Sequence, residues 1–275
     1  MTREEQLSFC KRCSFRKLDL KQGLICNIKG QKADFETECP DFEVDSKVII
    51  DEKRKKEAIK SNKKRSKTAQ ILIWSVMIMD IISIISLYFK YNLLISLEKN
   101  DFVPDLTLNS SDLIEGIIAM IYLIVYITSV VTFIQWFRRA YYNLNIRTNC
   151  SHSDNWAVIS WFIPIISLFR PYQIMKEMWL HTSELIIAKS NKKNKNGNGI
   201  IIFLWWILWI FSNFIGNYIT RNLFKQEGII NLINTIKAEI SLGIIGFTLA
   251  IITYIMIDKY SQKEEILRKL EKEIS

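Results

Sequence analysis

Long apolar runs alternate with short charged stretches along this chain. Ile71–Leu97, Leu113–Phe137 and Gly199–Ile219 carry few charges, and Ile240–Ile257 carries none. About 20 apolar residues cross the hydrocarbon core of a bilayer as a helix, so each run predicts a transmembrane span. The spans are expected from Ala69 to about Lys90 or Leu94, from Leu113 to Gln135, from Gly199 onward, and up to Ile257. Ile229, Ile233, Ile236 and Ile240 recur at helical spacing ahead of the last one. The tail predicts ion pairs Glu264–Arg268 and Glu265–Lys269, and a narrow apolar stripe of Ile266, Leu270 and Ile274.

The stretch Trp156–Phe169 breaks this rhythm. At 1.5 Å per residue it reaches only about 21 Å, against a core of ~30 Å. Pro164 interrupts its hydrogen bonding. Arg138 and Arg139 precede it, and Arg170 and Lys176 follow it, so both flanks favour the cytoplasmic face. A short segment with positive charge at both ends predicts a re-entrant or half-inserted element over 156–170; a short full crossing is the alternative. Such backbone is tolerated at membrane depth only against protein or a water-filled cavity. Ser153-Asp154-Asn155 is a candidate cap for its helix. Arg170-Pro171 opens a new helix whose Tyr172, Met175, Met178 and Trp179 share one side, which predicts an amphipathic interfacial helix. The expected class is an all-α integral membrane protein: four transmembrane helices, a Pro-broken re-entrant or short helix, an amphipathic interfacial helix and a small cysteine-rich N-terminal module. Four prolines and no alternating pattern argue against a β-barrel.

Charge sets the expected orientation. The net charge is +9, with nine basic residues between Lys53 and Lys67 and four between Lys189 and Lys195. Beside apolar helices, such blocks predict cytoplasmic sidedness and contacts with anionic lipid at 53–67 and 189–195. No aromatics are interleaved in either block, so no nucleic-acid partner is expected. The loop after the first span is acidic, with Glu98, Asp101, Asp105 and Asp112. The map places the chain in the inner (cytoplasmic) membrane with both termini cytoplasmic. Met1-Thr2-Arg3-Glu4-Glu5 opens without an apolar region, so no cleavable signal peptide is expected. The expected domains are a module at 1–45, a basic linker at 46–68, a membrane domain at 69–258 and a charged helical tail at 259–275.

Four of the five cysteines, Cys10, Cys13, Cys26 and Cys39, lie in the N-terminal module. The module has too few large apolar residues to fold around a core of its own size. On the cytosolic side thiols stay reduced, which favours a metal over disulfides. Cys-x2-Cys followed by two further cysteines suits tetrahedral zinc; an iron–sulfur cluster and a metal-free knob are the alternatives. Phe15, Leu24, Phe35 and Phe42 are expected around the site, and a docking role implies a protein partner.

Within the membrane domain, Asp80 falls near the middle of the first span and Asn213 at a similar depth in the third. An intramembrane carboxylate implies a proton, an ion or a paired partner, so Asp80 is expected to face Asn213 or a basic residue of the central stretch. Arg139, Tyr141, Arg170 and Gln173 are candidates to line a polar pocket beneath the broken element; snorkelling to headgroups is the plainer reading. Cys150-x-His152 is too sparse for a metal site. No Ser-His-Asp set, metalloprotease motif, P-loop or glycine-rich dinucleotide loop is present, so no enzyme is expected. Gly246-x3-Ala250 permits close helix contact. A partner-binding scaffold is the leading expectation, a small transporter or channel component using Asp80 the second, and a membrane-embedded enzyme the third.

The stretch from Trp136 to Trp179 is similar to the signature of the uncharacterised bacterial membrane family DUF4328. The resemblance rests on Arg139-Ala140-Tyr141-Tyr142-Asn143, on Trp156-Ala157-Val158-Ile159-Ser160-Trp161-Phe162-Ile163-Pro164, and on Arg170-Pro171-Tyr172-Gln173-Ile174-Met175 with Trp179. With its flanking spans it covers roughly residues 70 to 260, and it excludes the cysteine module. It implies an integral membrane protein and no particular reaction. The Asn-rich loop Asn143–Asn155 departs from the small-residue loop that the family pattern leads one to expect.

Overall fold

The computed structural model describes residues 1–99, 105–190, 199–223 and 228–273. Asp101 and the basic residues Lys192, Lys193 and Lys195, to which acidic-loop and lipid-contact roles were assigned above, lie outside them, as does Ile274. The chain divides into two compact units, Met1–Lys60 and Ser61–Ser275.

The first unit is small. Helix α1 (Arg3–Arg12) starts with a capping box in which Thr2 and Glu5 satisfy each other's backbone N–H. Strands β1 (Arg16–Asp19) and β2 (Gly23–Cys26) form an antiparallel hairpin. Its turn is fixed by Asp19 Oδ1, which accepts from the N–H of Lys21 and Gln22 at 2.9 and 2.8 Å, and by Gly23 at φ +80°. Helix α2 (Ser46–Ala58) closes the unit. Phe9 meets Phe35 and Phe42 edge-on at 5.8 and 5.5 Å, and Ile25 is buried beside them. The two-residue strand period puts Ile25 inside, in place of the expected Leu24.

The regular elements of the second unit are all helices among its described residues. Helices α3 (Lys63–Glu98), α4 (Asp105–Arg147), α8 (Ile200–Leu223) and α9 (Ile229–Glu273) each contain a stretch long and apolar enough to cross a membrane. The 36 residues of α3, 43 of α4 and 45 of α9 outrun that need. They make about 54–68 Å of helix against a ~30 Å core, so each carries a water-side extension. This corrects three expected boundaries. α4 does not stop at Gln135 but continues to Arg147, because Trp136, Phe137, Ala140, Tyr141 and Leu144 form a buried stripe at helical spacing. The isoleucine-rich stretch before the last span, the span itself and the tail are one helix. In that tail the buried residues are Tyr260 and Leu267, whereas Ile266 is 46% exposed.

Between α4 and α8 the chain forms α5 (Trp156–Ile159), a turn, α6 (Pro164–Ser167) and α7 (Arg170–Ser190). Pro164 occupies the first turn of α6, and Ile163 before it is extended. Neither four-residue helix crosses a bilayer, and α5 and α6 are not among the membrane-length helices. Asn155 does not cap α5 through its side chain; its Oδ1 instead accepts from Arg138 Nη2 at 3.2 Å. α7 buries Ile174, Met175, Met178, Trp179 and Ile186, and packs on α4, α8 and the extension of α9.

α3 packs on both α4 and α9, and α9 on α8, while α4 and α8 have at most a marginal backbone approach. The four long helices therefore form an arc, with the broken element between its ends. Gly243 permits a close approach of α9 to α3: a Cβ there would meet Ile84 Cγ1 at 2.8 Å.

Candidate functional site

Inside this arc lies a cavity of about 640 Å³. Small side chains create it: Ser129 on α4, Ser212 and Gly216 on α8, and Gly246 and Ala250 on α9 all face it. α3 turns Ile73, Val76 and Asp80 toward it, at the three- and four-residue spacing that puts them on one helix face. Asp80 is 2% exposed. Its Oδ1 accepts a hydrogen bond of 2.9 Å from Tyr122 Oη, and its Oδ2 has no hydrogen-bond partner among the described residues. Tyr122 stacks on Tyr126, with centroids 6.0 Å apart.

Asn213 lines the same cavity but does not bond Asp80; its Nδ2 donates to Trp209 O at 2.7 Å, one turn back. Among the described residues no Lys or Arg lines the cavity, so none of them is the expected basic partner of Asp80. Tyr122 takes that place. The signal was its position on the second span, although nothing in one sequence pairs it with Asp80.

One end of the cavity is walled by aromatics. Trp161, on the turn after α5, meets Phe133, Trp205 and Trp209 edge-on at 5.7, 6.2 and 5.8 Å. The proline-broken segment thus delivers an indole to the gap between α4 and α8.

The charged end of the bundle is built from a polar network. Tyr141 donates to Glu177 Oε2 at 2.7 Å, Ser151 N–H donates to Glu177 Oε1 at 2.6 Å, and His152 N–H donates to the Tyr141 oxygen at 3.2 Å. Arg170 contacts the His152 ring, donates to Gln173 Oε1 at 2.9 Å, and lies over the Trp156 ring. Tyr141, Arg170 and Gln173 therefore share one network. Arg139 stands apart from it, over the Tyr142 ring. Burial works against the charge of Glu177, but the bonds from Ser151 and Tyr141 outweigh it and hold the carboxyl below its usual range. Burial, reinforced by the nearby Glu177 charge, pushes the Cys150 thiol up to about 12, which leaves it a poor nucleophile. Arg147, its side chain 5% exposed, forks onto Glu271 through Nε and Nη2, both at 3.0 Å. Asn143 donates to Glu264 at 2.6 Å, and Lys263 Nζ sits 3.8 Å from the Trp179 ring centroid. The tail pairs expected at Glu264–Arg268 and Glu265–Lys269 are replaced: Arg268 bonds Glu265 at 2.9 Å, and Glu264 turns inward to Asn143.

In the first unit, Cys10, Cys13, Cys26 and Cys39 all line one small cavity of about 20 Å³. Burial, then the neighbouring thiols, raise the pKa of Cys10. As a donor set four thiols suit zinc, but their arrangement does not: among the described residues no group of three or more His, Cys, Asp or Glu could hold a metal ion. None of these cysteines is in a disulfide.

A bundle of membrane-length helices around an aromatic-walled cavity defines an all-α, multi-pass membrane protein. Residues 100–262 match the family model described as a domain of unknown function (DUF4328), and the chain belongs to that family. The match begins later than the residue 70 suggested by the motif resemblance, so the first span lies outside it. No curated protein and no solved structure matches the chain.

Proposed function

We propose that this protein holds a small amphipathic molecule within its bundle, as a non-enzymatic binding or transport component of the bacterial inner membrane. The observation that carries this reading is the cavity of about 640 Å³ with a buried carboxylate in its wall. Ligand sites are concave, mostly apolar and furnished with a few polar groups, and this one has that make-up. The reading ranks above the partner-binding scaffold because a scaffold needs no space there. Four crossings would place the two ends of the membrane domain on one side, and the basic block at 53–67 favours the cytoplasm for both.

Native mass spectrometry of the full chain released from detergent tests the reading. A stoichiometric small-molecule adduct that is lost in Gly246→Trp, while the variant elutes and melts like the wild type, is the expected result. Equal adduct occupancy in the two proteins would reject it.

A second reading concerns residues 1–45. The donor set of four thiols lining one small cavity supports a zinc-stapled docking module that engages a protein partner, in which the ion itself gathers the thiols. Elemental analysis should then find one zinc per chain, lost in Cys13→Ser. Metal-free wild-type protein that still melts cooperatively would remove it.

A further inference from the structure

We infer that the bundle cavity selects an organic cation, a bulky ammonium or similar ion whose charge is spread over an apolar body. The inference rests on the proposed ligand-holding role and names its chemistry. Three observations converge.

The first is an unanswered carboxylate. Asp80 lines the cavity, is 2% exposed, and leaves Oδ2 without a hydrogen-bond partner among the described residues. A buried charge of this kind is costly until a counter-charge meets it. The single bond from Tyr122 answers only the other oxygen.

The second is the wall. Trp161, Trp205, Trp209, Tyr122 and Tyr126 line the same space. Aromatic faces attract cations, most strongly when water is excluded, and a carboxylate joined to an aromatic cage recognises substituted ammonium ions. Among the described residues no Lys or Arg lines the cavity, which disfavours an anion.

The third is size. A bare metal ion needs about six oxygens at 2.0–2.6 Å. This cavity offers one carboxylate in about 640 Å³. The matching guest is large and carries its own apolar surface.

Tetraphenylphosphonium and tetraphenylborate make a decisive pair, since they share size and shape and differ in the sign of charge. Binding is read by equilibrium dialysis and by tryptophan quenching on the full-length protein in detergent. The expected result is one saturable site for the phosphonium and none for the borate. Asp80→Asn should weaken the phosphonium at least ten-fold. Trp209→Leu should weaken it several-fold and leave the selectivity for positive charge. Should Asp80→Asn fail to elute as a single species, the ion pair applied to the wild type still decides the matter. Equal binding of both ions, or an Asp80→Asn affinity within two-fold of the wild type, overturns the cation assignment; if the adduct lost in Gly246→Trp persists, the ligand-holding role survives that failure. No saturable binding of either ion also overturns the assignment, and the same adduct measurement then decides the broader role.

Discussion

The two ends of the bundle follow opposite plans. At the charged end, α7 and the extensions of α4 and α9 bury polar groups that satisfy one another: Arg147 with Glu271, Asn143 with Glu264, Tyr141 with Glu177. Toward the middle of the long helices, small residues leave a cavity, and the one carboxylate there has a free oxygen among the described residues. The pairing at the charged end is not complete, since Arg170 Nε, Ser190 Oγ and Ser261 Oγ have no hydrogen-bond partner among the described residues, but the paired groups still specify the packing. A buried group left unpaired is expensive, and a function is the usual reason for it. The family signature falls mainly in the paired end. Its tyrosine, arginine and glutamine build a platform, and the turn between them sets Trp161 at the cavity wall.

The sharpest way to break this contrast is at Arg147. Arg147→Met takes the forked partner from Glu271, leaving it Lys189 at 4.0 Å, and should cost about 2–3 kcal/mol, read as a drop in melting temperature in detergent. Adding Glu271→Leu to the same chain should recover much of it. A loss below about 1 kcal/mol would show that the end is not held by its ion pair.

Two glycines of α9 contrast a packed seam with the cavity. Gly243→Ala places a methyl 2.8 Å from Ile84 and should cost about 1–3 kcal/mol. Gly246→Ala meets the Asp80 carboxyl, 3.4 Å away at its nearest atom, and should shift the melting temperature by less than half as much. Equal losses would mean the cavity is not open space.

Tyr141→Phe removes one hydrogen bond from Glu177 and should cost about 1–2 kcal/mol, without altering ligand retention. The smallest effect concerns pH. The folded carboxyl of Glu177 is held below its ordinary value of 4.5, so its contribution is fully present above about pH 4.5 and fades as pH falls through the folded value. The melting temperature of the wild type should therefore fall more between pH 6 and pH 3 than that of Glu177→Gln. Parallel curves would show that this network adds nothing.

Much of this was legible before the fold. Apolar runs place four membrane helices, and Pro164 with its positive flanks marks a segment that does not cross as one helix. The depth of Asp80 and Asn213 could be counted along their spans, and both do line one cavity. The stripe Trp136, Phe137, Ala140, Tyr141, Leu144 was also readable as helix, but the arginines inside it look like a membrane boundary. The tail misled for a similar reason. Charges at i,i+4 suggest surface pairs, whereas Glu264 and Glu271 are claimed by α4, more than 120 residues away in sequence.

Local composition alone determined that this chain is a helical membrane protein, because bilayer thickness and backbone hydrogen bonding leave a long apolar run one solution. Tertiary structure decided what the polar residues do. Whether Asp80 meets Asn213, Tyr122 or open space depends on helix rotation and on where small side chains coincide across four helices. Those are long-range facts that no spacing within one helix encodes.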